Sequence, residues 1–545
     1  MVTITALGLL GEAAAALTSS TTTTQLVVLS TLLVWCAVLR ALEWAWWRPR
    51  RLGRALRSQG VGGNEYSSLA GDAPLSERLE REARSRPLPL GCHDVVPRAM
   101  PLFYQTMKQH GKTSITWFGP IPRVTITKPE LVREVLLNKH GQFGKLKLGR
   151  LQRRLHNGIG SLEGEKWAKH RRIINPAFHQ QKLKRMLPAF AACCKDLVER
   201  WEGLAAGEEP CEVDVWPEMQ NLTGDVISRA AFGSSYLEGR RIFQLQGEQI
   251  ELTILAMNKL HIPGYLFLPT RINRRMKEIA AEIEGALRRI VAKRENALRT
   301  GRATSDDLLG LLLESNMEHC NGSRGDSRAG ITTDDVIGEC KLFYFAGMET
   351  TSVLLTWTMV VLCMHPEWQD RAREEILSVF GSRTPDYDGL SRLRIVTMVL
   401  YEVLRLYTPL TALHRRTESP TELGGVRYPA GVMLTLPLLC VHHDKAVWGP
   451  DADEFRPERF AQGVFRASRD APAFFPFGWG PRTCVAQNFA LLEAKMGLCM
   501  ILQRFGFELS PAYSHAPLSV GLLKPEHGAQ VRLKRISTAV CTWTS

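Results

Sequence analysis

The chain has 545 residues, of which 45% are hydrophobic and 23% charged. This composition is that of a globular protein with a sizeable core, and it excludes an intrinsically disordered chain. Lysine and arginine number 69 against 55 aspartate and glutamate, a formal charge of +14. Such an excess fits a membrane surface, an acidic partner protein or simply a solvated basic surface. No nucleic-acid partner is expected, because zinc-finger spacing and a basic groove interleaved with aromatic residues are both missing from the sequence.

The first predicted element is a membrane anchor at residues 25–47. Leu26–Leu39 is a continuous apolar-to-neutral run, and it extends to residue 47 if Arg40 and Glu43, three apart, pair on one helix face. A spanning helix needs about 20 such residues. Three tryptophans at the end of the run are typical of an interfacial aromatic belt.

The charges that flank this run predict its orientation. Five arginines fall within residues 48–57, whereas residues 1–24 contain no lysine or arginine. The positive-inside rule therefore places residues 1–24 in the lumen and the rest of the chain in the cytosol, as a single-pass protein. A cleaved signal peptide is the alternative, but the basic segment that should begin one is missing.

Residues 48–101 are basic and rich in proline. Pro87, Pro89, Pro97 and Pro101 predict a stiff, helix-breaking connector between the anchor and the main domain.

Residues 102–545 show neither a linker nor a repeat, and we expect one mostly α catalytic domain with small β-sheets. Two strand-like runs, Ser114–Trp117 and Arg123–Thr127, predict a hairpin, and a second strand-rich patch spans about 412–437. The polar stretch 301–330 predicts a surface loop. Apolar spacing and good helix formers predict helices near 179–204, 217–231, 274–299, 333–364, 366–379 and 391–406.

One of the twelve cysteines stands out by its surroundings. An apolar, aromatic, glycine-rich loop presents Cys484 directly before a helix-like run at 487–495. A helix N-terminus and the nearby Arg482 predict a lowered pKa for this thiol. A soft thiolate on a turn can occupy one axial position of haem iron. From the residues alone, a buried structural cysteine and a nucleophilic cysteine remain open, although no histidine lies in a motif recognisable as its base.

The pattern F-x-x-G-x-R-x-C, met by Phe477, Gly480, Arg482 and Cys484, resembles the haem-binding loop of the cytochrome P450 superfamily. The resemblance implies haem b with Cys484 as the axial thiolate, Arg482 paired with a haem propionate, and Phe477 packed beside the sulfur. The superfamily usually has glycine two residues after the cysteine, whereas this chain has Ala486. The added methyl group affects cofactor packing but leaves the ligand intact.

Two further motifs resemble the superfamily's helix for oxygen activation and its buried ion network. In the stretch AGMETT at residues 346–351, the resemblance implies that Gly347 leaves room for dioxygen and that Ala346 and Gly347 contact the cofactor. It also implies that Thr350 assists oxygen activation and that Glu349 helps to relay protons to it. Glu402, Arg405 and Arg459 match the family's E-x-x-R pair and its later arginine, with a structural rather than catalytic role, because a buried ion cluster fixes geometry only when it is fully satisfied.

The expected propionate contacts lie elsewhere in the chain. Trp167 and Arg171 are four apart, on one helical face, and resemble the superfamily's W-x-x-x-R contacts. Arg415 is similarly placed at the start of the second strand patch, and Arg416 is a rival for the same role. The motifs occur in the superfamily's order. The stretches 163–178 and 341–347 resemble the plant secologanin-synthase-type family, within the clan that also holds gibberellin, cytokinin and brassinosteroid hydroxylases.

These resemblances imply the cytochrome P450 fold behind one N-terminal transmembrane helix, anchored in the endoplasmic reticulum membrane. The implied reaction inserts one oxygen atom from O2 into an apolar small molecule, such as a terpenoid or an isoprenoid hormone-like compound. The electrons come from NADPH through a membrane-bound NADPH-cytochrome P450 reductase. The docking surface of that reductase is acidic, and Lys166, Lys169 and Arg172 are the expected basic contacts.

Two alternatives to a monooxygenase are a haem-thiolate isomerase or dehydratase and a catalytically inactive membrane scaffold. The first generally lacks the acid–alcohol pair that Glu349 and Thr350 form here, and the second is disfavoured by the complete set of motifs. Specificity is expected in the segments lining the distal pocket: 140–162, 250–270, 410–414 and 518–523, with Phe345 and Met348 on the oxygen-side helix.

Overall fold

The computed structural model describes residues 24–67, 69–146, 158–207, 210–233, 236–257, 259, 264–302, 307–321, 330–468 and 472–536. The expected luminal segment, apart from residue 24, lies outside the described residues. So do parts of two expected pocket segments, 147–157 in the first and 258 with 260–263 in the second.

The described secondary structure is predominantly helical, with short strands at the edges of the helical body. The helices are α1 (Thr24–Arg57), α2 (Ala73–Arg84), α3 (Val96–Ala99), α4 (Pro101–His110), α5 (Pro129–Leu137), α6 (Gly164–Ile174), α7 (Gln180–Leu204), α8 (Val215–Phe232), α9 (Tyr236–Met257), α10 (Arg271–Arg299), α11 (Leu308–Asn321), α12 (Thr333–Met364), α13 (Pro366–Phe380), α14 (Tyr387–Arg392), α15 (Ile395–Leu406), α16 (Leu438–His442), α17 (Lys445–Trp448), α18 (Val464–Ala467) and α19 (Gln487–Leu502). The strands are β1 (Gly62–Gly63), β2 (Thr113–Phe118), β3 (Ile121–Ile126), β4 (Phe143–Gly144), β5 (Cys211–Asp214), β6 (Leu413–Thr417), β7 (Thr421–Leu423), β8 (Val426–Tyr428), β9 (Met433–Leu436), β10 (Phe505–Leu509), β11 (Pro517–Val520), β12 (Leu522–Pro525) and β13 (Gln530–Arg535).

The strands form small sheets, the largest with the order β1-β2-β3-β9-β6-β4. The predicted hairpin is confirmed, because β2 and β3 pair antiparallel from Thr113 with Ile126 to Phe118 with Ile121. The strand-rich patch at 412–437 is also confirmed, and it contributes β6 and β9 to the main sheet and β7 and β8 to a separate hairpin. In the turn of that hairpin, Gly424 and Gly425 both have positive φ, a conformation that glycine adopts without strain.

Helix α12 runs through the centre of the helical body and packs against α8, α10, α15 and α19. It begins with a capping box in which the Thr332 side chain accepts from the Asp335 N–H and the Asp335 carboxylate accepts from the Thr332 N–H. It ends at His365, directly before Pro366, where a proline disfavours helical backbone in the preceding residue. A helix that is apolar on nearly all sides must be buried, and most of its residues are.

Helix α1 is long and apolar enough to cross a membrane, and its most apolar stretch is not buried against the rest of the protein. Helix α12 is also long and apolar enough, but 78% of its most apolar stretch is buried inside the protein, so it is a core helix. The length and exposure of α1 are compatible with the predicted anchor.

Two expectations about irregular segments are corrected. Residues 48–101 were predicted to be a helix-breaking connector, but β1 joins the main sheet and α2 and α3 are helical. Pro97 and Pro101 lie in the first turns of α3 and α4, where the missing N–H costs nothing. The predicted loop at 301–330 contains α11, whose leucines enter the core: Leu308, Leu309, Leu312 and Leu313.

Candidate active site

A cavity of about 330 Å³ connects α12 with the loop that precedes α19. Ala346, Gly347 and Thr350 of α12 line it, together with Phe477 and Cys484 of the loop. The fold thus brings to one cavity two motifs that are more than a hundred residues apart in the sequence. Further lining residues are apolar and come from several elements: Leu136, Ile159, Ile227, Leu342, Phe343, Leu410, Leu413 and Leu438.

Backbone hydrogen bonds fold the loop tightly around Cys484. The Cys484 N–H donates to the Phe477 carbonyl at 2.9 Å, and the Thr483 N–H donates to the Gly480 carbonyl at 3.0 Å. Gly480 has a φ of 72°, and a Cβ added there would lie 3.2 Å from the Leu136 carbonyl oxygen. Glycine is therefore required at this position both by its backbone conformation and by the close approach of α5.

The Cys484 side chain is accessible to a small molecule although it lies inside the protein, because it forms part of the cavity wall. Burial raises the pKa of the Cys484 thiol, while a hydrogen bond from the Ala486 N–H and the charge of Arg171 act in the opposite direction. The sequence predicted that the helix N-terminus and Arg482 lower this pKa. The N–H of Ala486, at the N-cap of α19, lowers it as predicted, but the interacting cation is Arg171 rather than Arg482, and burial has the larger effect.

Four cations line the same cavity: Lys145, Arg171, Arg415 and Arg482. Burial, followed by the charges of Arg482 and Arg415, lowers the pKa of Lys145 to about 7. Burial and the charge of Arg482 lower the pKa of Arg415 to about 10. The carboxylate of Glu163 opposes both shifts, but it is one negative charge among several positive ones. The cluster is therefore suited to an anionic group with more than one carboxylate.

The register of the main sheet distinguishes Arg415 from Arg416. In β6, Arg415 pairs with Leu434 and Arg416 with Met433 of β9, and successive side chains of a strand point to opposite faces. Arg415 lines the cavity, and Arg416 is not among its lining residues.

Trp167 and Arg171 both line the cavity from α6, as their spacing predicted. The Arg171 guanidinium donates to the Thr483 carbonyl at 2.8 Å, next to Cys484. The Arg482 guanidinium lies over the Trp167 ring, 4.5 Å from its centroid, and donates to the Leu162 carbonyl at 2.8 Å. The two arginines thus tie α6 and the segment before it to the cysteine loop.

On α12, the Thr350 hydroxyl donates to the Ala346 carbonyl at 2.7 Å. A Cβ added at Gly347 would lie 2.7 Å from Ile227 of α8, so this glycine also permits close packing of the two helices. Phe345 and Met348, expected to line the pocket, are not among the cavity residues, whereas Leu342 and Phe343 are.

Glu349 does not line the cavity, unlike its neighbour Thr350. Its carboxylate lies 2.9 Å from the Lys524 ammonium of β12 and accepts from the Gln220 side-chain amide at 3.3 Å. The Glu349 side chain is 3% exposed and that of Lys524 28%. The pair therefore connects the edge of the active-site helix to the protein surface, and no sequence motif indicated this partner.

The expected ion network is assembled behind the loop. Arg405 donates to both carboxylate oxygens of Glu402, at 2.7 and 2.8 Å, and both side chains are fully buried. Arg459 lies 3.4 Å from the same carboxylate. Arg405 also donates to the carbonyl of His442, whose ring nitrogen Nε2 accepts from the Phe475 N–H at 2.9 Å. His442, which the sequence did not single out, thus connects the network to the start of the cysteine loop.

Comparison with known proteins identifies this combination of fold and site. The family model for cytochrome P450 matches residues 94–533. The retinoic acid-bound cyanobacterial CYP120A1 has the same fold, with a TM-score of 0.71 at 22% identity, covering 87% of this chain and 99% of that one. The chain belongs to the cytochrome P450 family, whose members bind haem through an axial cysteine thiolate and use O2 to oxidise small molecules.

The relatives locate the chain more narrowly, among plant enzymes. It is 60% identical to cytochrome P450 CYP72A616 of Paris polyphylla over 91% of this chain and 96% of that one. It is 49% identical to the 11-oxo-beta-amyrin 30-oxidase of Glycyrrhiza uralensis, over 94% and 97% of the two chains. It is 49% identical to the 7-deoxyloganic acid hydroxylase of Catharanthus roseus, over 94% and 98%. These similarities confirm the predicted plant branch and the assignment as a monooxygenase.

Proposed function

We propose that Cys484 is the axial ligand of the haem in a membrane-anchored monooxygenase that acts on a terpenoid. One observation carries the proposal: a single cavity brings together a thiol, the oxygen-side helix and four cations. This donor set fits haem b, since the thiol is a soft axial ligand, the cations match two propionates and the remaining walls are apolar.

The bound haem supplies the activation of dioxygen, and the residues of this chain hold it and control access to it. The haem propionates are held by the residues to which the sequence analysis assigned this role: Trp167, Arg171, Arg415 and Arg482. We add Lys145 to these propionate contacts. Phe477 and the other apolar lining residues exclude water from the sulfur. Gly480 permits the turn that presents it.

Proton delivery is assigned to Thr350 and Glu349. The Thr350 hydroxyl holds a proton at the cavity surface. In the structure it donates to the Ala346 carbonyl, and rotation about its Cα–Cβ bond turns it toward the cavity. Glu349 is paired with Lys524, so its carboxylate relays a proton to Thr350 only after it leaves that lysine.

The substrate class is proposed from the cavity and the relatives. The apolar lining suits a hydrophobic skeleton, and two relatives carry the names of an amyrin oxidase and a deoxyloganic acid hydroxylase. Leu410 and Leu413, from one of the segments predicted to set specificity, lie in the cavity wall.

The electron donor and the membrane arrangement extend the proposal. An NADPH-cytochrome P450 reductase meets the basic face of α6, where Lys166 and Arg172 are exposed and Lys169 is half-buried. Helix α1 crosses the endoplasmic reticulum membrane once within residues 25–47. The arginines at 48–57 and the catalytic domain remain in the cytosol, and residues 1–24 lie in the lumen.

The test uses the full chain in microsomes with the reductase, NADPH, isotopically labelled O2 and a panel of terpenoids. The expected product carries one labelled oxygen atom and requires both NADPH and the reductase. Cys499→Ser, which changes a buried cysteine of α19 outside the cavity lining, is the matched control and should retain turnover. A haem-loaded protein that converts a terpenoid without NADPH or O2 would contradict the proposed reaction.

A further inference from the structure

Helix α6 is connected to α12 by a buried hydrogen-bonded pair that lies outside the cavity. His170 Nδ1 is 2.6 Å from Glu339 Oε1, and the side chains are 1% and 0% exposed. Neither residue lines the cavity, yet His170 is adjacent to Arg171, which does. On one helix, positions 167 and 171 share a face, and the side chain of residue 170 lies about 100° from that of Arg171 around the helix axis.

The same histidine lies beside a second carboxylate that extends to the surface. Its Nε2 atom is 3.9 Å from Asp335 Oδ1, and the Lys166 ammonium is 2.6 Å from that same oxygen. Asp335 also closes the capping box of α12 with Thr332. His170 thus contacts the first turns of α12 through two carboxylates.

The second oxygen of Glu339 points toward the other segment that lines the cavity next to α6. A Cβ added at Gly158 would lie 2.6 Å from Glu339 Oε2, so the carboxylate packs directly on that backbone. The next two residues, Ile159 and Gly160, line the cavity, and the Gly160 carbonyl accepts from the Lys145 ammonium.

The buried carboxylate is poorly explained by stability alone. Glu339 Oε2 is buried and has no hydrogen-bond partner among the residues that the structure describes. Burying a polar group with an unpaired oxygen is unfavourable, and an apolar pair of similar size is often at least as stable. A role in orienting neighbouring groups accounts for the pair better.

We propose that His170 and Glu339 are positioning residues for the cofactor. Their hydrogen bond fixes the rotation of α6, so that Trp167 and Arg171 face the cavity, and the Glu339 carboxyl group holds the segment from Gly158 to Gly160 against the same site. The inference rests on the proposed function, because the orientation of Arg171 matters only if it contacts a haem propionate.

The test compares His170→Gln, Glu339→Gln and the double variant, each prepared as the haem-loaded full chain. The measurements are the rate of haem transfer to excess apomyoglobin and the reduction potential. His170→Gln removes the imidazole partner of Glu339, and haem loss should accelerate by roughly tenfold or more. The reduction potential should become more negative as Arg171 moves away from the propionate, because the loss of nearby positive charge leaves the ferrous state less stabilised.

The double variant separates positioning from general damage. Two neutral glutamines can hydrogen-bond to each other, so haem loss should return to within about threefold of wild type, a coupling typical of contacting residues. Thr358→Val is the matched control, because Thr358 is also buried on α12 and donates only to its own helix, to the Leu354 carbonyl. It should leave the potential unchanged.

The inference would be overturned if both single variants showed the wild-type rate of haem loss and the wild-type potential. It would also be overturned if the double variant lost haem as fast as the worse single variant. If His170→Gln fails to fold, Glu339→Gln and the double variant still test the inference. Both should fold, because neither contains a buried carboxylate without a partner. A wild-type chain that takes up no haem would overturn the proposed function first, and this inference with it.

Discussion

The Glu402→Gln variant tests how the ion network supports the cysteine loop. Glu402 and Arg405 form a bidentate pair in which neither side chain is exposed. Glu402 also accepts from the Arg456 N–H at 2.9 Å. Neutralising one member of such a pair leaves a buried, uncompensated charge, which costs about 3–5 kcal/mol. Because glutamine keeps one acceptor oxygen, we expect Glu402→Gln to lower the free energy of unfolding by the lower end of that range, about 3 kcal/mol.

The matched control is Glu248→Gln at the surface. Arg275 donates to both oxygens of Glu248 at 2.6 and 2.7 Å, so the geometry is that of the buried pair, but each side chain is 40% exposed. Solvent screens this pair, so Glu248→Gln should change the free energy of unfolding by no more than the experimental error. The assay is urea unfolding followed by circular dichroism, together with the haem content of the purified protein. Equal effects of the two variants would refute the argument that burial gives the network its importance.

Three further predictions concern the active site and the response to acid. Thr350→Ala should uncouple NADPH consumption from product and release peroxide, and full coupling would remove Thr350 from the proton pathway. Gly480→Ala forces a side chain into positive φ against α5, at about 1–3 kcal/mol, and should lower haem occupancy, whereas unchanged occupancy would contradict the tight turn. Burial lowers the pKa of His93 to about 3 and of His515 to about 4. In the unfolded chain a histidine has a pKa of about 6.5, so below that pH the unfolded state binds more protons than the folded state. These two histidines alone should therefore lower the free energy of unfolding by roughly 4 kcal/mol between pH 7 and 5, and a pH-independent value would contradict the assignment of both as neutral.

The sequence predicted the main helices because their apolar spacing is strong and their ends carry clear signals. Helix α12 was expected at 333–364 and is found there. The strand hairpin was also predicted, because two short strand-like runs flank Gly119-Pro120. Helix α11 was missed because the chain on both sides of it is polar, so only the tertiary contacts of its leucines show that it is helical.

The site could be predicted as a set of motifs but not as a set of contacts. The family spacing identified Cys484, and the W-x-x-x-R spacing identified Arg171, yet no local pattern shows that Arg171 is the cation whose charge acts on the thiol pKa. Lys145 reaches the cavity from the position directly after the short strand β4, without a recognisable motif. The pairing of Glu349 with Lys524 joins residues far apart in the sequence. Such partners are determined by tertiary packing, and no local sequence pattern indicates them.

The spectrum of the reduced, carbon monoxide-bound protein tests the sulfur–iron bond at residue 484 most directly. Wild type and the Cys499→Ser control should both show the long-wavelength Soret band of a thiolate-ligated haem, and Cys484→Ser should lose it. An undiminished band in Cys484→Ser, or a wild-type spectrum typical of histidine ligation, would contradict the account.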